Sequence, residues 1–106
     1  KLGVVDNLAY CASKAAVGAM TRCLAVEWAR HGICVVNVAP GYIATDLNRD
    51  FLARDNVKAW LARRIPTGAP GSADEVARFV ASLFGEDNRF LTGETIYIDG
   101  GQGMNH

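Results

Sequence analysis

The stretch ICVVNVAPG, residues 33–41, decides the fold of this chain. Its first seven residues form a nearly continuous apolar run, which is typical of a parallel β-strand covered on both faces. Pro40 and Gly41 then turn the chain away from the sheet, because proline fixes φ and glycine adopts conformations that other residues avoid. Since ligands of open α/β sheets bind at the carboxyl ends of the strands, the residues after Pro40 are placed where a ligand would bind.

Helical patterns lie on both sides of this strand. Residues 8–30 form an Ala-rich stretch that ends before Gly32, a C-cap residue, and its small and apolar residues predict a helix covered almost all round. Residues 47–65 carry apolar residues at helical spacing and predict one or two short amphipathic helices. Together with a second strand at residues 95–99, these patterns indicate an α/β fold.

A third helical segment, residues 72–84, opens with the sequence SADE, which is a capping box. One face of this segment is apolar and predicts either a core or an interface surface. The residues of this apolar stripe are Val76, Phe79, Val80, Leu83 and Phe84.

Charge and cysteine content exclude several classes of function. Eleven basic residues balance eleven acidic ones, so the chain has no electrostatic footprint for nucleic acid or an anionic membrane. No apolar run approaches the roughly 18 to 20 residues that a membrane span requires. Cys11, Cys23 and Cys34 lack C-x-x-C spacing, so we expect reduced, buried, space-filling thiols in a cytoplasmic protein without a metal site. Cys11 could alternatively be an accessible, oxidisable thiol.

Tyr10 and Lys14 are the candidate catalytic pair. They stand four residues apart in a predicted helix, so both side chains project from one face about one turn apart. A free phenol, with a pKa of roughly 10, exchanges protons poorly at neutral pH, but a fixed positive charge nearby favours the phenolate. The pair is therefore a candidate general acid/base, although an ordinary exposed helix face could show the same spacing.

Four motifs follow one another along the chain: YCASKAA at residues 10–16, VNVAPGYIAT at 36–45, GSADEVA at 71–77 and TGETIYIDGG at 92–101. In this order and at these separations, the chain resembles the C-terminal part of classical short-chain dehydrogenases/reductases, similar to 3-oxoacyl-(acyl carrier protein) reductases and polyol or sugar dehydrogenases. The resemblance covers essentially all 106 residues. It implies the C-terminal portion of a Rossmann-type doubly wound parallel sheet, with three αβα layers, within a single NAD(P)-binding domain.

The resemblance also implies roles for individual residues. Tyr10 would exchange the proton of a carbonyl or secondary alcohol substrate, while Lys14 assists it and hydrogen-bonds the ribose hydroxyls of NAD or NADP. The loop that holds the nicotinamide would include Pro40, Gly41, Ile43 and Thr45. In it the backbone of Ile43 would meet the carboxamide and the Thr45 hydroxyl the carboxamide or phosphate. From the residues alone, Thr45 followed by Asp46 is a helix N-cap, and both roles are compatible.

Residues 47–65 correspond to the variable substrate lid of the family. Tyr42, Phe51 and Trp60 are the candidate substrate-binding residues on this side of the site. Arg63 or Arg64 would meet an anionic group of the substrate or lie on a solvated face. Relatives often carry Arg where this chain has Ala69, which puts in doubt any salt bridge that such an Arg makes beside the lid.

The family's Gly-rich phosphate loop, its NAD/NADP selector and its substrate-polarising Ser precede the Tyr, so we expect them to lie outside this chain. The chain alone is then expected to be inactive, and the alternative is a non-catalytic or truncated member that keeps only a binding or assembly role.

The resemblance further implies a homo-oligomer, a dimer of dimers. Residues 8–30 would pack against a twin helix, or else be buried within one subunit. The stripe at 76–83 with the last strand would form a second interface, and the tail at 103–106 would lie near a subunit boundary.

Overall fold

The computed structural model describes residues 7–104, which form two compact units. The first unit contains residues 7–38 and Gly85–Ile96, and the second contains Ala39–Phe84 and residues 97–104. Residues 105 and 106 of the predicted boundary tail lie outside the described residues.

Helix α1 (Leu8–Trp28) dominates the first unit and continues into a 3₁₀ turn, Ala29–His31. Gly32 ends it with φ 70°, and its backbone N–H donates to the carbonyl of Ala29 at 3.0 Å. Glycine suits this left-handed position because it has no Cβ to clash with the preceding turn. The predicted C-cap is therefore confirmed.

Within the described chain α1 is covered on one face only, and its cover by a twin helix stays a prediction. Only Thr21 and Ala25 are buried on it, whereas Leu8 is 83% and Val26 80% exposed. The two buried residues are four positions apart and share one face, so the first unit covers a single stripe of the helix.

The cysteines are free, as expected, but two of the three are exposed rather than buried. Cys23 lies on the uncovered part of α1, and Cys34 lies before the strand, where its Sγ donates to the carbonyl of Arg89 at 3.3 Å. Cys11 is half-buried. Apolar neighbours in sequence did not produce burial, because most of α1 has no covering layer in the described chain.

The described residues contain four short strands: β1 (Asn37–Pro40), β2 (Ile43–Ala44), β3 (Gly71–Ser72) and β4 (Thr95–Ile98). β1 is paired with β4, and β2 pairs in parallel with β3. The register of the second pair joins Ile43 to Gly71 and Ala44 to Ser72. The α/β prediction and the strand at 95–99 are confirmed, and β2 and β3 were not predicted.

The apolar run at 33–39 is a regular strand only from Asn37 onward. Before it, the N–H of Val35 donates to the side-chain oxygen of Thr92 at 2.9 Å, which replaces a strand partner. The run is also half-buried or exposed rather than covered on both faces, with Ile33 47% exposed. Among residues 7–104, β1 has one strand neighbour, β4, so its other edge is unpaired in this part of the chain.

Helices α2 (Arg49–Leu52), α3 (Asp55–Arg64) and α4 (Ala73–Ser82) belong to the second unit, and the first two confirm the prediction for residues 47–65. Val57, Leu61 and Ile65 recur every four residues and form a buried cluster, against which Leu52 packs. The hydroxyl of Ser72 accepts the N–H of Glu75 at 3.1 Å, so Ser72 caps α4 as predicted. Short 3₁₀ turns occupy Glu86–Asn88 and Gln102–Met104.

A search of residues 7–104 finds no helix with the length and apolar character of a membrane span.

Candidate functional site

The predicted catalytic pair lies in the first turns of α1 in the first unit. Lys14 Nζ is 5.4 Å from the centroid of the Tyr10 ring, within the range of a cation–π contact. The hydroxyl of Ser13 donates to the carbonyl of Tyr10 at 2.8 Å, one of the carbonyls in the first turn of the helix. Tyr10 is 61% exposed, so its ring is accessible to a small molecule in the described chain. The i, i+4 spacing has therefore brought an ammonium beside a phenol, as predicted.

The predicted cofactor loop, residues 40–45, belongs to the second unit, and several of its backbone groups have hydrogen-bond partners elsewhere in that unit. The N–H of Gly41 donates to the carbonyl of Ile98 at 3.0 Å, and the carbonyl of Tyr42 accepts the N–H of Gly71 at 3.0 Å. The loop thus follows the end of β1 and is fixed against the strand that begins at Gly71.

Asn48 fixes the other end of the loop, and the sequence reasoning missed it. Its side chain accepts the N–H of Thr45 at 2.7 Å and donates to the carbonyl of Ile43 at 2.9 Å. Asparagine side chains commonly form hydrogen bonds to nearby backbone groups in turns. An Asn three residues after Thr45 could therefore have been used to predict this contact. Asn48 therefore holds the Ile43 carbonyl and the Thr45 N–H just before α2 begins.

The N-cap interpretation of Thr45 is wrong. α2 begins at Arg49 and its N-cap position is Asn48, whose side chain bonds to the loop instead of to the helix. The side chain of Thr45 is exposed and its residue lies before the turn, so capping does not account for this position.

Asp99 is a second residue that the sequence reasoning missed. Its two carboxylate oxygens accept the N–H groups of Gly101 and Gly103, both at 2.9 Å. A carboxylate that accepts the backbone N–H two residues ahead is typical of an Asx turn. The Asp99-Gly100-Gly101 sequence could have been used to predict this turn. This turn places the backbone of Asp99 directly against the cofactor loop at Gly41, where an ideal Cβ on Gly41 would lie 2.8 Å from Asp99 Cα.

Two of the three candidate substrate residues are in contact. The rings of Tyr42 and Trp60 are edge to face, with centroids 5.6 Å apart and an interplanar angle of 80°. Phe51 is outside this pair, and its ring instead has the guanidinium of Arg54 at 5.5 Å from the centroid. The guanidinium of Arg64 lies 4.9 Å from the centroid of the Trp60 ring.

A cavity of about 350 Å³ opens beside this loop within the second unit. Tyr42 and Ile43 line one part of it, and Ala69 lines another. Because the Ala69 side chain is small, it leaves space at this position.

An apolar groove of about 690 Å³ runs along the α4 side of the same loop. Pro40 and Ile43 line it together with Val76, Val80 and Phe84 of the α4 stripe. The stripe therefore faces the loop within the second unit. Among residues 7–104, no group of three or more His, Cys, Asp or Glu side chains could hold a metal ion.

Comparison with known proteins identifies the class to which this chain belongs. The family model for enoyl-(acyl carrier protein) reductase matches residues 2–103. Glucose 1-dehydrogenase of Gluconobacter oxydans (strain 621H) is 42% identical over 94 residues, which are 89% of this chain and 35% of that protein. The 3-oxoacyl-[acyl-carrier-protein] reductase FabG of Rickettsia bellii (strain RML369-C) is 40% identical over 95 residues, 90% of this chain and 39% of that protein.

Solved structures agree with the sequence relatives. A gluconate 5-dehydrogenase from Burkholderia cenocepacia J2315, in complex with NADP and tartrate, has a TM-score of 0.85 and 34% identity. The match covers 98% of this chain and 41% of that one. A doubly substituted short-chain dehydrogenase/reductase of Serratia marcescens gives a TM-score of 0.84 at 31% identity and covers 96% of this chain and 40% of that one.

The chain belongs to the short-chain dehydrogenase/reductase family, and its α/β elements are part of a Rossmann-type fold. It spans about two-fifths of the length of the relatives it matches, 35% in the glucose dehydrogenase and 41% in the gluconate dehydrogenase.

Proposed function

We propose that the protein containing this chain is an NAD(P)-dependent oxidoreductase that acts on a carbonyl or secondary alcohol substrate. The observation that carries the proposal is the position of Lys14 Nζ, 5.4 Å from the centroid of the Tyr10 ring. Membership of a family whose relatives are named dehydrogenases and reductases supports the same reaction.

Tyr10 is assigned the proton transfer. In the reducing direction its hydroxyl donates a proton to the substrate oxygen, and in the oxidising direction its phenolate takes that proton back. Lys14, whose ammonium lies beside the Tyr10 ring, is assigned to assist this proton transfer. A nicotinamide cofactor, when bound, supplies the hydride for reduction or takes it up in oxidation. We also assign to Lys14 hydrogen bonds to the ribose hydroxyls of this cofactor.

Pro40, Gly41, Ile43 and Thr45 are assigned to hold the nicotinamide. Their fit rests on the loop being fixed before any ligand arrives: Ile98 accepts from Gly41, and Asn48 bonds both Ile43 and Thr45. A loop that is already ordered loses little conformational entropy when a cofactor binds to it, and this favours a high affinity. The proposal covers both NAD and NADP, and the NADP in the gluconate dehydrogenase supports the second.

Tyr42, Phe51 and Trp60 are assigned to the substrate side. Tyr42 is adjacent in sequence to Ile43 of the cofactor loop, and its ring contacts that of Trp60. We propose that these rings wall the space in which the substrate carbon meets the cofactor, with Phe51 of α2 as an outer wall.

We further propose that the full-length protein assembles as a dimer of dimers. On α1, the exposed apolar residues include Leu8, Met20 and Val26. On the second surface, Phe84 is 85% exposed, while the other residues of the α4 stripe are half-buried. Two separate self-complementary surfaces generate a closed tetramer.

Substitution Tyr10→Phe in the full-length protein tests the proposed reaction. It removes only the hydroxyl, so cofactor binding should persist while turnover falls roughly 100- to 10,000-fold. Tyr97→Phe, at a tyrosine that is 61% exposed on β4, is the matched control and should leave turnover unchanged. Near-normal turnover of Tyr10→Phe would remove Tyr10 from the reaction, whereas cofactor binding without any turnover in the unaltered protein would favour a non-catalytic member with a binding or assembly role.

A further inference from the structure

Asn48 is joined to the cofactor loop by its side chain and by its backbone, all within the second unit. Its Oδ1 accepts the N–H of Thr45 at 2.7 Å, and its Nδ2 donates to the carbonyl of Ile43 at 2.9 Å. Its own backbone N–H donates to the Thr45 carbonyl at 3.2 Å. The two side-chain hydrogen bonds, which we call the Asn48 bonds, therefore hold two of the loop residues that are assigned to the nicotinamide.

The Asn48 bonds lie on the edge of the loop that faces away from β3. On the other edge, the carbonyl of Tyr42 accepts the N–H of Gly71 at 3.0 Å. Because successive carbonyls of an extended strand point to opposite edges, the carbonyl of Ile43 faces away from β3, where Asn48 donates to it. The loop is thus held by a strand on one edge and by a single side chain on the other.

The amide group is well suited to this position. A backbone carbonyl can only accept a hydrogen bond and a backbone N–H can only donate one, so Ile43 and Thr45 require a donor and an acceptor side by side. The amide of Asn48 provides one of each, whereas a carboxylate provides two acceptors and a methyl group provides neither. The loop therefore also fixes the orientation of the amide, since a flipped amide would set its oxygen against the Ile43 carbonyl.

A second side-chain contact in the same turn is weaker. Arg49 is paired with Asp46 at 2.7 Å, but these side chains are 72% and 91% exposed, so water and salt screen the ion pair. Asn48 is half-buried, and hydrogen bonds that are partly shielded from water are stronger. The order of this edge of the loop is therefore expected to depend mainly on Asn48.

We propose that Asn48 is a positioning residue for the nicotinamide cofactor, which raises cofactor affinity by holding Ile43 and Thr45 in place before the cofactor arrives. Ordering these residues in advance reduces the entropy that is lost on binding. Asn48 acts through the loop backbone and takes no part in proton or hydride transfer. The proposal rests on the assignment of residues 40–45 to the cofactor under the proposed function.

Asn48→Ala in the full-length protein removes both Asn48 bonds. Calorimetric titration should show that Kd for NAD or NADP rises roughly 5- to 30-fold, as expected for the loss of two hydrogen bonds. The value of kcat at saturating cofactor should change less than about threefold, because a high cofactor concentration compensates for the lost affinity.

Asn48→Asp adds a test that depends on pH. The new carboxylate accepts from Thr45 but repels the Ile43 carbonyl, so Kd near neutral pH should rise as in Asn48→Ala. A protonated carboxyl again offers one donor and one acceptor, so the ratio of the variant Kd to the unaltered Kd should fall toward one as the pH is lowered from about 8 to about 4. Taking this ratio cancels the titration of groups that both proteins share, such as Asp46. The ratio for Asn48→Ala should not change with pH.

Hydrogen exchange at neutral pH tests the same bonds without acid. The amide of Thr45 should remain protected in Asn48→Asp, which keeps the acceptor, and should exchange faster in Asn48→Ala. Asn56→Asp makes the same chemical change at an exposed asparagine of α3 and is the matched control. It should alter neither Kd nor its pH dependence.

Unchanged cofactor affinity in Asn48→Ala would overturn the proposal and leave the oxidoreductase in place. A lower free energy of unfolding without a change in Kd would do the same, because it would assign the Asn48 bonds to folding alone. An affinity loss in Asn48→Asp that acid does not reverse, or equal protection of Thr45 in both variants, would also count against it. If the unaltered protein bound neither NAD nor NADP, the proposed function itself would fail, and the role of Asn48 would fail with it.

Discussion

Gly41 and Asp99 are in such close contact that no side chain fits at position 41. A Cβ on Gly41 would lie 2.8 Å from both Cα and Cβ of Asp99, closer than real Cβ contacts allow. The approach is held by the hydrogen bond from Gly41 N–H to the Ile98 carbonyl at 3.0 Å and by the turn that Asp99 forms with Gly101. The position of the cofactor loop is therefore set by the chain that follows β4.

Substitution Gly41→Ala should displace the loop, because the clash is with backbone and cannot be relieved by a side-chain rotation. We expect weaker cofactor binding and a lower free energy of unfolding, by about 1–3 kcal/mol as for other overpacked sites. Calorimetric titration with NAD and NADP, together with urea unfolding of the full-length protein, measures both effects.

Gly18→Ala is the matched control. A methyl group at position 18 would meet Arg22 and Thr95 atoms only at 3.8 and 3.9 Å, which is ordinary contact, and alanine is favoured over glycine inside a helix by roughly 0.5–1 kcal/mol. We expect it to be neutral or stabilising. Equal behaviour of the two variants would show that the approach of Asp99 does not constrain position 41.

Lys14→Met should lower turnover and weaken cofactor binding together, since Lys14 is assigned both the support of Tyr10 and the ribose contact. Turnover should fall by roughly 100-fold or more, in the range of a lost acid/base contribution. Arg22→Met removes a positive charge from the exposed side of the same helix and should change neither property. Cofactor dissociation constants and single-turnover rates distinguish the two tasks, and unchanged cofactor affinity in Lys14→Met would remove the ribose contact.

Leu61→Ala should destabilise the second unit by about 2–5 kcal/mol, the usual cost of truncating a buried leucine. Leu61 is 1% exposed and is central to the cluster with Val57 and Ile65. Leu47→Ala makes the same chemical change at a residue that is 100% exposed, so it should cost less than about 0.5 kcal/mol. Urea unfolding of the two variants gives the comparison, and similar losses would mean that the cluster is not the core of this unit.

The proposed dimer of dimers predicts two separable dissociation steps. Val26→Glu, at a residue 80% exposed on α1, should reduce the tetramer to dimers, because a charge cannot be buried in an apolar interface without a partner. Phe84→Glu, in the α4 stripe, should do the same through the other surface, and the double variant should be monomeric. Light scattering at micromolar concentration measures the molar mass of each variant. A monomeric unaltered protein would refute both interfaces.

Local features of this protein were determined by the sequence itself. Tyr10 and Lys14 are adjacent because four residues make about one helical turn, and this period does not depend on the rest of the chain. Ser72 caps α4 for a similar reason, since its hydroxyl needs only the N–H three residues ahead. Gly32 ends the first helical segment because the chain adopts a left-handed conformation there, which is unfavourable for residues with a Cβ.

Only the tertiary structure decided which distant segments meet and which apolar residues are covered. The contact of Gly41 with Asp99 and the pairing of Ile43 with Gly71 join residues far apart in sequence, so no local pattern encoded them. Cys23 and Cys34 were expected to be buried and are exposed, because burial depends on neighbouring layers rather than on the apolar character of a segment. Asn48 lies between the two cases: its type favours a turn, but only the path of the loop fixes its bonds to Ile43 and Thr45.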